Sequence, residues 1–146
     1  MPEFILELGS DDAAKAFNAL GEFEQGYIEC AFFCMASGIG ISGADGVTNP
    51  RFDELSTVAL AWMLEDCRNF MASDEWQAWK ACEYVCGEAP DDRTSGRCFW
   101  YTRNRHGTGF WDHDYPDAWG ATLTDAAHDW PECDLYIGDH GLIEVA

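Results

Sequence analysis

Positive charge is what this chain has least of. Eight lysines and arginines face 27 aspartates and glutamates in 146 residues, a formal net charge of −19 with histidine neutral. A protein that binds DNA or RNA directly displaces phosphate counterions with basic groups, so that function class is excluded. Long apolar runs are also missing: none approaches the roughly 18–20 residues a membrane span needs. The opening MPEFILELGSDD has neither the basic nor the apolar stretch of a secretory leader. No HExxH spacing fixes two metal ligands on one helix face. HGTG at 106–109 lacks the third glycine and the helix start of a dinucleotide fingerprint. There is no internal repeat and no low-complexity tract.

What is present argues for a packed core. The chain is 47% hydrophobic and 14% aromatic, far from the composition of a disordered acidic tail. Its length is that of one ordinary domain, large enough to bury a core without disulfide or metal. The seven cysteines, at 30, 34, 67, 82, 86, 98 and 133, are odd in number. With no leader, that count predicts free thiols in a reducing cytosol, and hence a soluble intracellular protein.

The periodicity predicts three helices first. One starts at Ser10, with Ser10 as N-cap and Asp11 and Asp12 in the first turn. It buries Ala13, Ala16, Phe17, Leu20, Phe23, Tyr27, Ala31, Cys34 and Met35 at spacings of three and four. Gly21 and Gly26 are its weak points, each costing roughly 1 kcal/mol relative to alanine. SGIGISGADGVTNPR reads as a loop. A second helix is expected over 53–72, burying Leu55, Val58, Ala59, Trp62 and Phe70. A third runs from a capping box at Asp74 and Gln77 to Gly87.

After the loop EAPDDRTSGR the period shifts to two. Arg97 to Arg103 alternates like a strand, HGTG supplies a turn, and a hairpin through Gly109 to His113 is expected. A helix at 116–129 and a second hairpin turned at Gly138 to Gly141 complete the chain. The expected fold is α+β in a single domain over 1–146: a mainly helical acidic part (1–92), then a β-β-α-β-β part (93–146) with a small antiparallel sheet. The first part carries 18 acids and 4 bases, a net of −14; the second carries 9 and 4, a net of −5.

QGYIEC (25–30), EDCRNF (65–70), FWYTRNRHGTGFWD (99–112), LTDAAHDW (123–130) and DLYIGDHGLI (134–143) resemble a family of small acidic bacteriophage proteins. The pattern is FW-x-TRN-x-HG-x-GFWD, then LT-x-x-A, then DLY-x-GDDG. It covers most of the chain from about residue 17, and it is specific around 99–112 and loose in the helices. The chain departs from it at His140, where the pattern has aspartate, and His113 falls outside it. The resemblance implies a phage accessory protein of the host bacterial cytoplasm, with Trp100, Arg103, Asn104, His106, Gly107, Gly109, Trp111 and Asp112 as its motif.

FWYTRNRHGTGFWDH invites a catalytic reading, and His106, Asp112, His113, His128 and His140 invite a metal. Cross-strand pairing of Asp112 with Arg103 or Arg105 explains the same residues without chemistry. Cys30/Cys34 and Cys82/Cys86 share helix faces but lie by apolar stripes, where thiols pack as small hydrophobes. Cys98 has no evident base beside it. No cofactor is expected, and an enzyme centred on His106 and Asp112 is the alternative reading.

The acidic surface is the leading candidate site: Asp11, Asp12, Glu22, Glu24 and Glu29 on the first helix, Glu54, Glu65 and Asp66 on the second, and Asp74, Glu75, Glu83, Glu88, Asp91 and Asp92 on and after the third. Helical residues four apart rise about 6 Å along the axis, close to the spacing of phosphates along a DNA strand. Such rows suit a host DNA-binding defence protein with a basic groove, a CRISPR–Cas effector or a restriction enzyme, held by an inhibitor that imitates DNA. Trp76 and Trp79 are the expected aromatic anchors. The competing reading is a phage adaptor whose charge serves solubility alone.

Overall fold

The computed structural model describes residues 4–37, 49–82 and 89–146. Its elements, in order, are α1 (Asp11–Asn18), α2 (Glu22–Ala36), α3 (Thr57–Met71), α4 (Asp74–Ala81), α5 (Asp92–Arg103), α6 (Asp117–Ala127), β1 (Leu135–Ile137) and β2 (Ile143–Val145). Short 3-10 turns at Phe52–Glu54 and Phe110–Asp112 precede α3 and α6. Helices with a small antiparallel sheet make this an α+β fold. The β-β-α-β-β half is not what forms: from residue 93 onward the order is α5, α6, β1, β2.

The first predicted helix divides in two. Ser10 caps α1 by accepting the Ala13 N–H at 3.1 Å. The chain turns at the weak point Gly21, whose N–H is taken by Glu24 at 2.7 Å as α2 begins. Gly26 stays inside α2 because α5 crosses there. A Cβ on Gly26 would strike the Arg93 carbonyl, and one on Gly96 would strike the Phe23 carbonyl. The two glycines let the backbones of α2 and α5 touch, which joins the halves of the chain in one core.

The second predicted helix begins later than residue 53. Phe52–Glu54 forms its own turn, and Ser56 caps α3 through the Ala59 N–H at 3.0 Å. The buried stripe of α3 is Ala59, Met63, Cys67 and Phe70, while Val58 and Trp62, expected inside, are 64% and 61% exposed. The third predicted helix is observed as α4, capped by Ser73 instead of Asp74; Gly87 lies outside the described residues.

The largest correction is the hairpin expected over 97–113. Asp91 accepts the Thr94 N–H at 2.8 Å and starts a helix, α5, that runs to Arg103. Its Ser95, Gly96, Cys98, Phe99, Trp100, Thr102 and Arg103 are all buried, so polar Ser95, Thr102 and Arg103 lie on the core side opposite Arg93 and Arg97, and the apolar period of a helix is blurred. The C-terminal hairpin forms as expected, pairing Leu135 with Val145 and Ile137 with Ile143, with Gly141 at φ +78° in its turn. The core centres on Phe70, whose ring lies 4.3 Å from Phe99, 5.7 Å from Phe110 and 5.8 Å from Phe23.

Candidate functional site

The motif at 99–112 is chiefly a clasp. Phe99 and Trp100 project from α5 into the core. Arg103 does not pair with Asp112. Its guanidinium, 3% exposed, donates to Asp66 of α3 at 2.6 Å, to the Tyr27 hydroxyl of α2 at 3.0 Å and to the Pro131 carbonyl at 2.7 Å. Burial opposes its charge, but these partners outweigh that and hold the guanidinium firmly protonated. Asn104 closes α5 by donating to the Trp100 carbonyl and accepts the Cys133 N–H at 2.7 Å. Arg105 follows in the left-handed region at φ 57°, exposed and without an ion pair among the described residues.

The remaining motif residues form a local loop. Asp112 accepts the Gly109 N–H at 2.9 Å, the Thr108 hydroxyl at 3.0 Å and His113 Nδ1 at 2.8 Å. Desolvation works against the ionised carboxylate, and these three donors outweigh it, holding its pKa below the usual range. Gly109 is required by close approach, since a side chain there would meet the Thr102 hydroxyl. Gly107 stands in open space, and Trp111 is 46% exposed. His106 rests against Tyr101, with ring centroids 5.5 Å apart, and not against Asp112. Burial lowers its pKa, partly offset by Asp134 and Glu132. The two residues of the catalytic alternative thus have separate surroundings. Among the described residues no group of three or more His, Cys, Asp or Glu is placed to hold a metal ion.

The fourteen candidate acids serve different ends. Glu83 and Glu88 lie outside the described residues. Six of the others hold the fold together. Glu24 and Asp91 cap helices, and Glu54 accepts the Arg51 N–H at 2.8 Å. Glu29 takes Arg93 at 2.7 Å and Arg97 at 3.4 Å, Asp66 takes Arg103, and Asp92 takes Lys80 at 2.7 Å. Glu22 touches Arg93 only at 3.4 Å, with 64% of its side chain exposed. Asp11, Asp12, Glu65 and Asp74 are exposed and Glu75 half-buried, all without an ion pair among the described residues.

Free acids are not confined to the first part, as the charge split suggested. Asp114, Asp117, Asp125, Asp129, Glu132 and Asp139 are also exposed and unpaired among the described residues. The cations are mostly consumed internally: Arg51, Arg93, Arg97, Arg103 and Lys80 all sit in ion pairs. That leaves Lys15, Arg68 and Arg105 to relieve the surface charge.

The anchors expected from the sequence are inside: Trp76 and Trp79 are 3% and 4% exposed. Trp62 is the tryptophan of the acidic part that reaches solvent, and choosing Ala59-Met63-Cys67-Phe70 as the stripe of α3 would have revealed it. It borders a cleft of about 170 Å³, lined also by Met63, Asp66, Trp130, Glu132 and Val145. No helix among the described residues is long and apolar enough to cross a membrane. In comparison with known proteins, the chain matches no family model, no curated sequence and no solved structure.

Proposed function

We propose that the protein is a phage-encoded inhibitor of a bacterial DNA-targeting defence. It acts in the host bacterial cytoplasm by stoichiometric binding to the basic groove of a CRISPR–Cas effector or a restriction enzyme. The observation that carries the reading is the imbalance of exposed charge. Carboxylates without a cation partner among the described residues stand on α1, α3, α4 and α6 and in the loops after α5 and α6, while five of the eight bases are held in internal pairs. A field of that sign steers a basic protein toward it and repels nucleic acid. The resemblance of 99–112 to small acidic phage proteins supports the phage setting, and the structural contacts of Phe99, Trp100, Arg103 and Asn104 support reading the acidic surface, not this segment, as the working face.

The test uses acids that do not hold the fold. Asp11→Lys, Glu65→Lys and Asp74→Lys are combined, leaving Glu29, Asp66, Asp91 and Asp92 intact. DNA cleavage by purified CRISPR effectors and restriction enzymes is measured with wild type and variant over a salt series. Inhibition by the wild type that weakens at least tenfold in the variant, and weakens with salt, supports the reading. Inhibition that survives both overturns it, and so does the absence of inhibition of either enzyme class.

A further inference from the structure

We propose that the cleft beside Trp62 is a socket for one arginine side chain of a protein partner. The floor is apolar, made by Met63 and Val145, and suits the alkyl stem of a long basic side chain. Two indoles border it. Trp62 is 61% exposed on α3, and Trp130 is anchored against Phe70 and Phe99. Indole is the aromatic ring that best attracts a guanidinium. Asp66 and Glu132 provide carboxylates at the same place.

The charge in the cleft favours a cation in spite of Arg103, which also lines it. Arg103 is spent on Asp66 Oδ2, Tyr27 and Pro131. Asp66 Oδ1 takes no hydrogen bond among the described residues, and Glu132 is exposed without an ion pair. The volume, about 170 Å³, holds a side chain and is well below the roughly 300–1,000 Å³ of small-molecule pockets. The fold already holds one guanidinium in this manner: Arg103 lies 5.8 Å from the Phe99 ring while bonded to a carboxylate. Arginine is preferred over lysine because its plane stacks on indole while its edge binds carboxylate. Only the identity of the partner as a basic protein rests on the acidic-surface reading.

The experiment follows the tryptophan indole N–H signals of the full chain by NMR at about 0.15 M salt, where long-range attraction is screened. The probe is a blocked glycine pentapeptide with arginine at its centre, compared with the same peptide carrying norleucine or lysine. Saturable shifts confined to Trp62 and Trp130 with the arginine peptide are expected. Trp62→Leu weakens binding about fivefold to tenfold, and Glu132→Gln weakens it as well. Asp11→Asn with Asp12→Asn changes it less than about twofold, as expected of distant exposed charges under screening.

Both Trp62 and Glu132 are exposed, and an unchanged unfolding midpoint verifies the fold of each variant. Equal binding of the norleucine or lysine peptide overturns the proposal, as does binding that ignores Trp62→Leu. Loss of the socket with salt-dependent inhibition intact would refute this inference alone. A working socket in a protein that inhibits nothing would refute the acidic-surface reading instead.

Discussion

Arg103 of α5 and Asp66 of α3 meet at 2.6 Å, and the guanidinium is almost wholly buried. The pair ties α3 to α5 through residues 37 positions apart in the sequence, and Tyr27 brings in α2. Removing one partner of a buried pair costs about 3–5 kcal/mol, because the other charge stays buried alone. Asp66→Asn leaves the Arg103 charge buried without its carboxylate and is expected to lose up to that much in urea unfolding. Arg103→Ala leaves Asp66, which is 30% exposed and screened by water, so its loss comes instead from the buried hydrogen bonds to Tyr27 and Pro131 and from the packing of the guanidinium. Equal stability of Arg103→Ala and wild type would show that the clasp does not hold the fold.

Gly96 reverses the usual sign of a helical glycine substitution. In an open helix, glycine to alanine gains about 1 kcal/mol. Here the new methyl would overlap the Phe23 carbonyl of α2, and such overpacking costs about 1–3 kcal/mol. Gly96→Ala should therefore lower the midpoint of thermal unfolding. Exposed Gly107, with nothing near its Cβ position, should tolerate the same change with little effect. A raised midpoint for Gly96→Ala would mean that α2 and α5 do not cross as described.

These contacts explain what was legible in the sequence. Local signals carried well: Ser10 as a cap, the weakness at Gly21, α6, and the final hairpin all rest on neighbours within a few residues. The segment 97–103 failed because its aromatic and threonine residues favour strands intrinsically. Polar Thr102 and Arg103 on its buried side, opposite exposed Arg97, also blurred the helical period. The cap at Asp91 was written in the sequence but stood among Pro, Ser and Gly, which read as loop. Arg103 was seen as important and given the wrong partner, since nothing local points to a carboxylate 37 positions away. The same distance problem concealed which acids are free, because pairing depends on helices brought together by Gly26 and Gly96.

The thiols provide a check on the core. Burial raises the pKa of Cys30 and Cys67 well above the ordinary value and pushes Cys98 up to about 12. At pH 8 a thiol of pKa 12 is ionised to about one part in ten thousand, and only the thiolate reacts. Native protein treated briefly with iodoacetamide should keep all three unmodified by mass spectrometry, and urea should expose them together. Cys34 differs: hydrogen bonding from Cys30 lowers its pKa despite burial. Rapid labelling of Cys98 in the native state would contradict the packing of α5.

His106 should give stability a weak acid-side slope. Burial lowers its pKa in the folded state, while in the unfolded chain it titrates near 6.5. Above that value neither state binds the proton, and the residue adds no pH dependence. As the pH falls through the unfolded pKa toward the lower folded one, the unfolded chain binds protons more readily and stability declines. His106→Gln cannot take up a proton, so the urea midpoint of the variant should fall less than that of the wild type between pH 7.5 and 5.5. An identical decline in both proteins would show that the ring is as well solvated folded as unfolded. A slope of opposite sign would place a carboxylate, Asp134 or Glu132, in direct control of it.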